Sequence, residues 1–265
     1  MDDTVDLARR VRLNALRMVH KAGASHIGSA LSISDILAVL YGRVMSYDTQ
    51  TPLLAKRDRF ILSKGHACVA VYSVLAEIGF LNKSQLDTYG QNFSPLMNHI
   101  SHKVSGVEFS TGSLGHGLSF GAGKALAAKK MNMDWRTFVL LSDGEMDEGS
   151  NWEALMFSSH HALDNLVAII DYNKLQSLGS CEKTLGLEPL TGKLKSFGWF
   201  VIEIDGHNHQ ELYDALTQRN QDKPIVIIAH TVKGKGVSFM EGKVEWHYKC
   251  PDQEQLIAAV KELGD

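Results

Sequence analysis

Asp143 and Asn173 carry the strongest chemical signal in this chain, because each follows an apolar run and the two stand 30 residues apart. Phe138 to Leu141 and Leu166 to Ile170 read as strands, and the segment between them has the length and composition of a crossover helix. The pattern predicts a βαβ unit. Neighbouring parallel strands bring their carboxyl ends side by side, at the edge where such sheets bind ligands. A carboxylate and an amide oxygen converging there suit a hard cation. Mg2+ prefers octahedral oxygen coordination and keeps water and phosphate in its shell. Asp143, Asn173 and the main-chain carbonyl of Leu175 would leave places for diphosphate oxygens and a water. Taken bare, Asp143-Gly144 after a strand is usually only a turn; the asparagine closing the next run is what lifts the pair above that reading.

His66 follows the run Phe60-Ile61-Leu62-Ser63-Lys64-Gly65 and opens a helical stretch, so its imidazole could donate to a diphosphate oxygen near a helix amino terminus. A capping or merely exposed histidine is the bland alternative. Gly106 to Gly117 is glycine-rich and runs into an Ala- and Gly-rich helix; glycines there allow the backbone to approach a flat ring closely. His26 and His99 lie in loops, and imidazoles that titrate near neutral pH can hydrogen-bond sugar hydroxyls and move protons. His102 competes with His99 for that part. Glu148, five residues after Asp143, reads by itself as the acidic start of a helix. Lys233-Gly234-Lys235-Gly236 lacks the spacing of a nucleotide-binding phosphate loop.

The elements that must position these residues alternate. Strands are predicted at Arg59 to Leu62, Phe138 to Leu141, Leu166 to Ile170, Phe200 to Ile204 and Ile225 to Ala229. Helices are predicted at Asp2 to Lys21, Ile33 to Tyr41, His66 to Ile78, Gly115 to Lys130, Asn151 to His161 and His209 to Gln218. Such alternation implies an α/β fold, a mainly parallel sheet with helices on both faces. No repeat, low-complexity tract or linker divides residues 1–265, so one domain is expected.

Ser142-Asp143-Gly144 with Asn173 resembles the Gly-Asp-Gly and distal Asn of the thiamine diphosphate enzymes, and the remaining motifs resemble the transketolases among them. Serine replaces the first glycine, which requires an ordinary backbone at position 142. The resemblance implies that Asp143, Asn173 and the Leu175 carbonyl hold Mg2+, and that Gly144, His66 and His247 serve the diphosphate. It further implies that Gly112, Ser113 and Leu114 receive the aminopyrimidine end, and that His26 and His99 reach the substrate. In this loop Ser113 stands for a family proline and His116 for a glutamine. Glu148, with Glu153 as a weaker companion, takes the place of the carboxylate that links paired cofactors across a dimer. The implied reaction is transfer of a two-carbon ketol unit from a ketose, phosphorylated or not, to an aldose, with the cofactor as electron sink.

The resemblance covers only the diphosphate-binding part of a transketolase. It therefore implies a separate partner carrying the pyrimidine-binding and carboxyl-terminal domains, an α2β2 assembly, and no activity for this chain alone. Another thiamine diphosphate enzyme of a specialised sugar pathway, or a non-catalytic cofactor-binding subunit, would share the metal motif. An NAD-binding protein is disfavoured, as no Gly-x-Gly-x-x-Gly opens a helix after the first strand.

Composition bounds the rest. With 265 residues, 44% of them hydrophobic, the chain can bury a substantial core. A net charge of -3 supplies no basic field for nucleic acid. The acidic amino terminus and the lack of a long apolar run point to a cytoplasmic protein without membrane contact. Three cysteines without ligand spacing read as reduced thiols.

Overall fold

The computed structural model describes residues 1–264, so only the last residue of the predicted 1–265 domain lies outside the described residues. Its centre is one five-stranded sheet of β1 (Arg59–Leu62), β2 (Thr137–Ser142), β3 (Leu166–Tyr172), β4 (Phe200–Asp205) and β5 (Ile225–His230). The strand order is β1-β2-β3-β5-β4, with every pair parallel. All five strands stand where the apolar runs predict them, lengthened by a residue or two at some ends.

Alternate side chains along each strand enter two separate cores. Phe138, Leu140, Val167, Ile169, Ile225 and Ile227 pack on one face, and Val139, Leu141, Ala168, Ile170, Val226 and Ile228 on the other. Strands apolar on both sides require cover on both sides. The first face is covered by α1 (Asp2–Ala22), α2 (Ile27–Ser32), α3 (Ser34–Val39), α4 (Cys68–Glu77), α9 (His209–Thr217) and α10 (Gln253–Glu262). The second is covered by α5 (Gly117–Lys130), α6 (Gly149–His160) and α8 (Leu190–Ser196), with α7 (Cys181–Thr184) in the loop before α8.

Helix α1 shows how the sequence dictates its place. Leu7, Ala8, Val11, Ala15, Leu16, Met18 and Val19 form its buried stripe at helical spacing. Asp2 and Asp3 sit at its positive end, His20 and Lys21 at its negative end, and Gly23 closes it at φ 61°.

Some elements depart from expectation. Ile27–Ser32, expected as part of a loop, is helix α2, buried along its whole length, so no polar face betrays it in the sequence. The helix expected from Ile33 to Tyr41 is α3 followed by a π turn at Leu40–Val44. Helices α8 and α10 carry no apolar periodicity strong enough to predict them. Among the described residues no helix is long and apolar enough to cross a membrane.

Candidate active site

The carboxyl ends of β1, β2, β3 and β5 open into one cleft of about 120 Å³, whose lining includes Lys64, His66, Asp143, Asn173, Lys233 and His247. Every strand end but that of edge strand β4 contributes. Leu114, Gly144 and Leu175 line it as predicted, together with Ser29 from α2 and Ser142, Gln176 and Ser177. Gly112 stands to one side, where an added Cβ would lie 3.6 Å from the His99 ring, and Ser113 is exposed.

The cleft floor is built on charge. Lys64 and Asp171 are 1% and 0% exposed and form an ion pair. The Asp171 carboxylate also accepts hydrogen bonds from Ser32, Thr231 and, at 3.1 Å, the Asn173 side-chain amide. That last bond orients Asn173, because once Nδ2 is committed to Asp171 the amide oxygen must face the other way. There Oδ1 accepts from the Leu175 N–H at 3.1 Å.

Asp143 is buried at the end of β2 and accepts from the Gly144 N–H at 2.7 Å and from the Lys174 N–H. Burial, reinforced by the negative charge of Asp171, pushes its carboxyl up to about 6. The preceding Ser142 has no left-handed φ, as serine in place of glycine requires. Gly144 is tight against the Gln176 side chain, 2.9 Å from where a Cβ would stand.

Four histidines far apart in sequence meet beside this floor. Ring centroids lie 4.9 Å apart for His26 and His66, 4.9 Å for His26 and His247, 5.4 Å for His66 and His247, and 6.0 Å for His26 and His99. Burial, then the positive neighbours Lys64, Lys233 and one another, hold three of these rings neutral: His26 is lowered to about 4, His247 to about 3, and His66 well below its usual range. Lys233 Nζ approaches His247 Nδ1 at 3.2 Å. A lysine ammonium can only donate, so Nδ1 accepts and the ring proton resides on Nε2. His102 bonds Ser110 Oγ at 2.7 Å, and His116 bonds the Leu114 carbonyl at 2.9 Å. His99 is thus the member of the pair with His102 that joins the cluster.

His26 is the amino-terminal cap of α2 with φ 70°, a conformation costly for a residue with a β-carbon. Its N–H donates to the His247 carbonyl at 2.9 Å, which fixes it there.

Glu148 and Glu153 are both exposed and do not line the cleft. Their exposure leaves them free for the dimer contact that the resemblance implies, while the buried carboxylate nearby is Glu145, which accepts from Ser63 Oγ at 2.5 Å and the Gly115 N–H at 2.9 Å. It clamps the glycine-rich loop onto the end of β1, and its second oxygen has no partner. Burial raises its pKa.

Sequence reading assigns no site role to Lys64, Asp171, Glu145, Ser29 or Lys233. A charged residue near the end of an otherwise apolar strand, as Asp171 is in β3, was the available signal.

Comparison with known proteins gives consistent matches. The family described as transketolase, thiamine diphosphate binding domain, matches residues 4–264. The chain is 42% identical to an apulose-4-phosphate transketolase subunit of Phocaeicola vulgatus, over 99% of this chain and 95% of that one. It is 42% identical to the 6-deoxy-6-sulfo-D-fructose transketolase subunit SqwG of a Clostridium species, over 97% and 94%. Among solved structures, transketolase from Campylobacter jejuni superposes with a TM-score of 0.94 at 30% identity, covering all of this chain but 43% of its own.

Proposed function

The chain belongs to the transketolase family through its thiamine diphosphate-binding domain, and from that premise we propose that it is the diphosphate-side subunit of a two-chain transketolase. It spans less than half of the single-chain enzyme but nearly all of relatives named as subunits. The pyrimidine-binding and carboxyl-terminal domains are assigned to a partner chain, in an α2β2 assembly. One observation carries the reading: a buried carboxylate, an oriented amide and two lysines share a cleft with His66 and His247, and the rings of His26 and His99 cluster beside them.

The residues fit a Mg-diphosphate group. Asp143 is raised because it is buried and because the Asp171 carboxylate stands near it, and a divalent cation is a group that would relieve both. Lys233 Nζ already lies 3.1 Å from the Leu175 carbonyl, so a cationic group is accommodated at that oxygen. Among the described residues no cluster of three His, Cys, Asp or Glu could hold a metal. A cation with one carboxylate ligand needs further oxygens, which a diphosphate supplies, and this favours Mg2+. Asp143, Asn173 and Leu175 would hold the cation, and Lys233, His66 and His247 the diphosphate.

Thiamine diphosphate, when bound, supplies the electron sink for breaking and making the carbon–carbon bond. This chain's work is positional and protic. Lys233 and the His247 Nε2–H donate to anionic oxygens. His26, which meets all three other rings, and His99 beyond it orient the sugar hydroxyls and carbonyl. His26, being neutral at pH 7, can accept a proton from a sugar hydroxyl and return it. The relatives' names support a ketose bearing a terminal anionic group as donor. Three unpaired cysteines suit a reducing compartment, and we place the protein in the cytoplasm.

Ketol transfer from xylulose 5-phosphate to ribose 5-phosphate, with thiamine diphosphate and Mg2+, tests the proposal on this chain alone and with its partner. Activity confined to the pair is expected. Activity of the isolated chain, or a pair inert toward every ketose donor tried, would overturn it.

A further inference from the structure

Tyr248 is 62% exposed, yet it is not a loose side chain. Its ring centroid lies 4.8 Å from that of His247 and 6.4 Å from that of His26, at interplanar angles of 71° and 55°. The turn beneath it is anchored several times. The Tyr248 and Lys249 N–H groups donate to the Glu245 carbonyl at 3.1 and 2.8 Å. Trp246, 3% exposed, donates its ring N–H to the Phe239 carbonyl at 3.1 Å, and Lys249 Nζ lies 4.9 Å over the indole. Helix α2 closes on the same turn, where a Cβ at Gly28 would come within 3.3 Å of the Trp246 carbonyl.

A rigid turn thus presents an aromatic ring beside the two imidazoles at the centre of the cluster, with more than half its surface open. Tyr248 is not part of the diphosphate cleft, which ends at His247. A tyrosine offers an apolar face and a polar tip, and a sugar chain offers C–H surface and hydroxyls, so each half of the side chain has a counterpart.

We propose that Tyr248 is a specificity-determining residue, the outer wall of the sugar channel, with its ring against the C–H side of the substrate chain and its hydroxyl bonded to a sugar hydroxyl beyond the reacting carbons. This rests on the ketol-transfer reading above and deepens it, since it locates on this chain a contact that selects among sugars.

The test uses the assembled pair carrying Tyr248→Phe or Tyr248→Ala, assayed on ketose donors and aldose acceptors of different length and terminal group, with thiamine diphosphate affinity measured in parallel. The expected result is a rise in sugar KM of roughly tenfold for Tyr248→Ala, the loss of about one good contact, with cofactor affinity unchanged. The ranking of sugars should shift. Tyr248→Phe should lose only part of this, and only for sugars with a hydroxyl at the contacted position. An unchanged ranking, or cofactor affinity falling in step with KM, would overturn the inference and leave Tyr248 as a prop for His247. Should the unmodified pair transfer no ketol unit, the parent reading fails, and sugar titrations into the cofactor-loaded pair decide separately. Weaker binding by Tyr248→Ala then sustains the inference; equal binding, or no binding by either protein, ends it.

Discussion

At the scale of single residues the division of labour runs between Asp143 and His26. Asp143→Ala removes the carboxylate proposed as the metal ligand and is expected to abolish Mg-dependent thiamine diphosphate binding, measured by titration calorimetry. His26→Asn keeps a side chain that tolerates the left-handed backbone and is expected to bind cofactor normally while lowering turnover by roughly a hundredfold or more, in the range of a lost acid–base group. Equal loss of cofactor in both variants would refute the division. The same substitution has a pH signature. Since His26 is lowered to about 4 in the folded chain, the unfolded chain takes up its proton first as pH falls below 6.5. The native protein therefore loses stability from this group between pH 6.5 and about 4, and none above. Denaturation curves of His26→Asn and the unmodified chain should run parallel above pH 6.5, with the gap moving in the variant's favour below it. Asp143, Asn173 and His66 were legible in the sequence because residues that follow apolar runs are pushed toward one sheet edge, whereas His26, His99 and His247 were singled out through the family resemblance. The sequence hid Lys64, Asp171 and Glu145, since the signal of a buried charge is its depth, and depth exists only in the fold.

At the scale of elements, what aims the site is the packing of α1, α3 and α9 around Asp35. Burial would raise this carboxyl, but hydrogen bonds from His207 and His209 and the Arg12 guanidinium hold it well below the usual carboxylate range. His207 Nδ1 lies 2.6 Å from Asp35, and its Nε2 accepts the Val232 N–H at 2.8 Å. The group that fixes three helices thereby also fixes the residue before Lys233. Asp35→Ala leaves Arg12 buried without its counter-charge and is expected to cost about 3–5 kcal/mol, seen as a lower denaturation midpoint. Cofactor affinity should fall as well, because the lysine loop is released. The loop after β1 is as constrained: a Cβ at Gly65 would stand 2.3 Å from the Thr111 carbonyl oxygen. The strands were legible because an all-parallel sheet needs apolar runs and little else. Helix α2 was not, because it is buried on every side and so shows no polar face, and tertiary burial overrode the weak helix propensity of Gly28, Ser29 and Ser32.

At the scale of the whole molecule, the chain leaves an apolar and acidic surface on α6 open to solvent: Met156 and Phe157 are 56% and 41% exposed, with Glu153 on the same helix and Glu148 at its amino-terminal cap also exposed. The resemblance that gives Glu148 a place in the dimer contact implies that, in the proposed α2β2 assembly, this surface would lie between copies of the chain. Phe157→Asp is expected to weaken assembly by tenfold or more, about 1.4 kcal/mol, measured by sedimentation. The bond from the His26 amide to the His247 carbonyl, 221 positions apart, has a consequence for how the protein is made. A ribosome delivers His26 before all five strands and His247 after them, so the sheet can have emerged before the cleft exists. A prematurely terminated or frameshifted product lacking the Val244–His247 turn would contain the whole sheet and is expected to load thiamine diphosphate poorly, which titration of such a truncation checks. Bound ligand adds roughly 2.7 kcal/mol at a hundredfold excess over its dissociation constant. The vitamin-derived cofactor would thus act as an inspector of finished chains, leaving the incomplete ones less stable and more readily degraded.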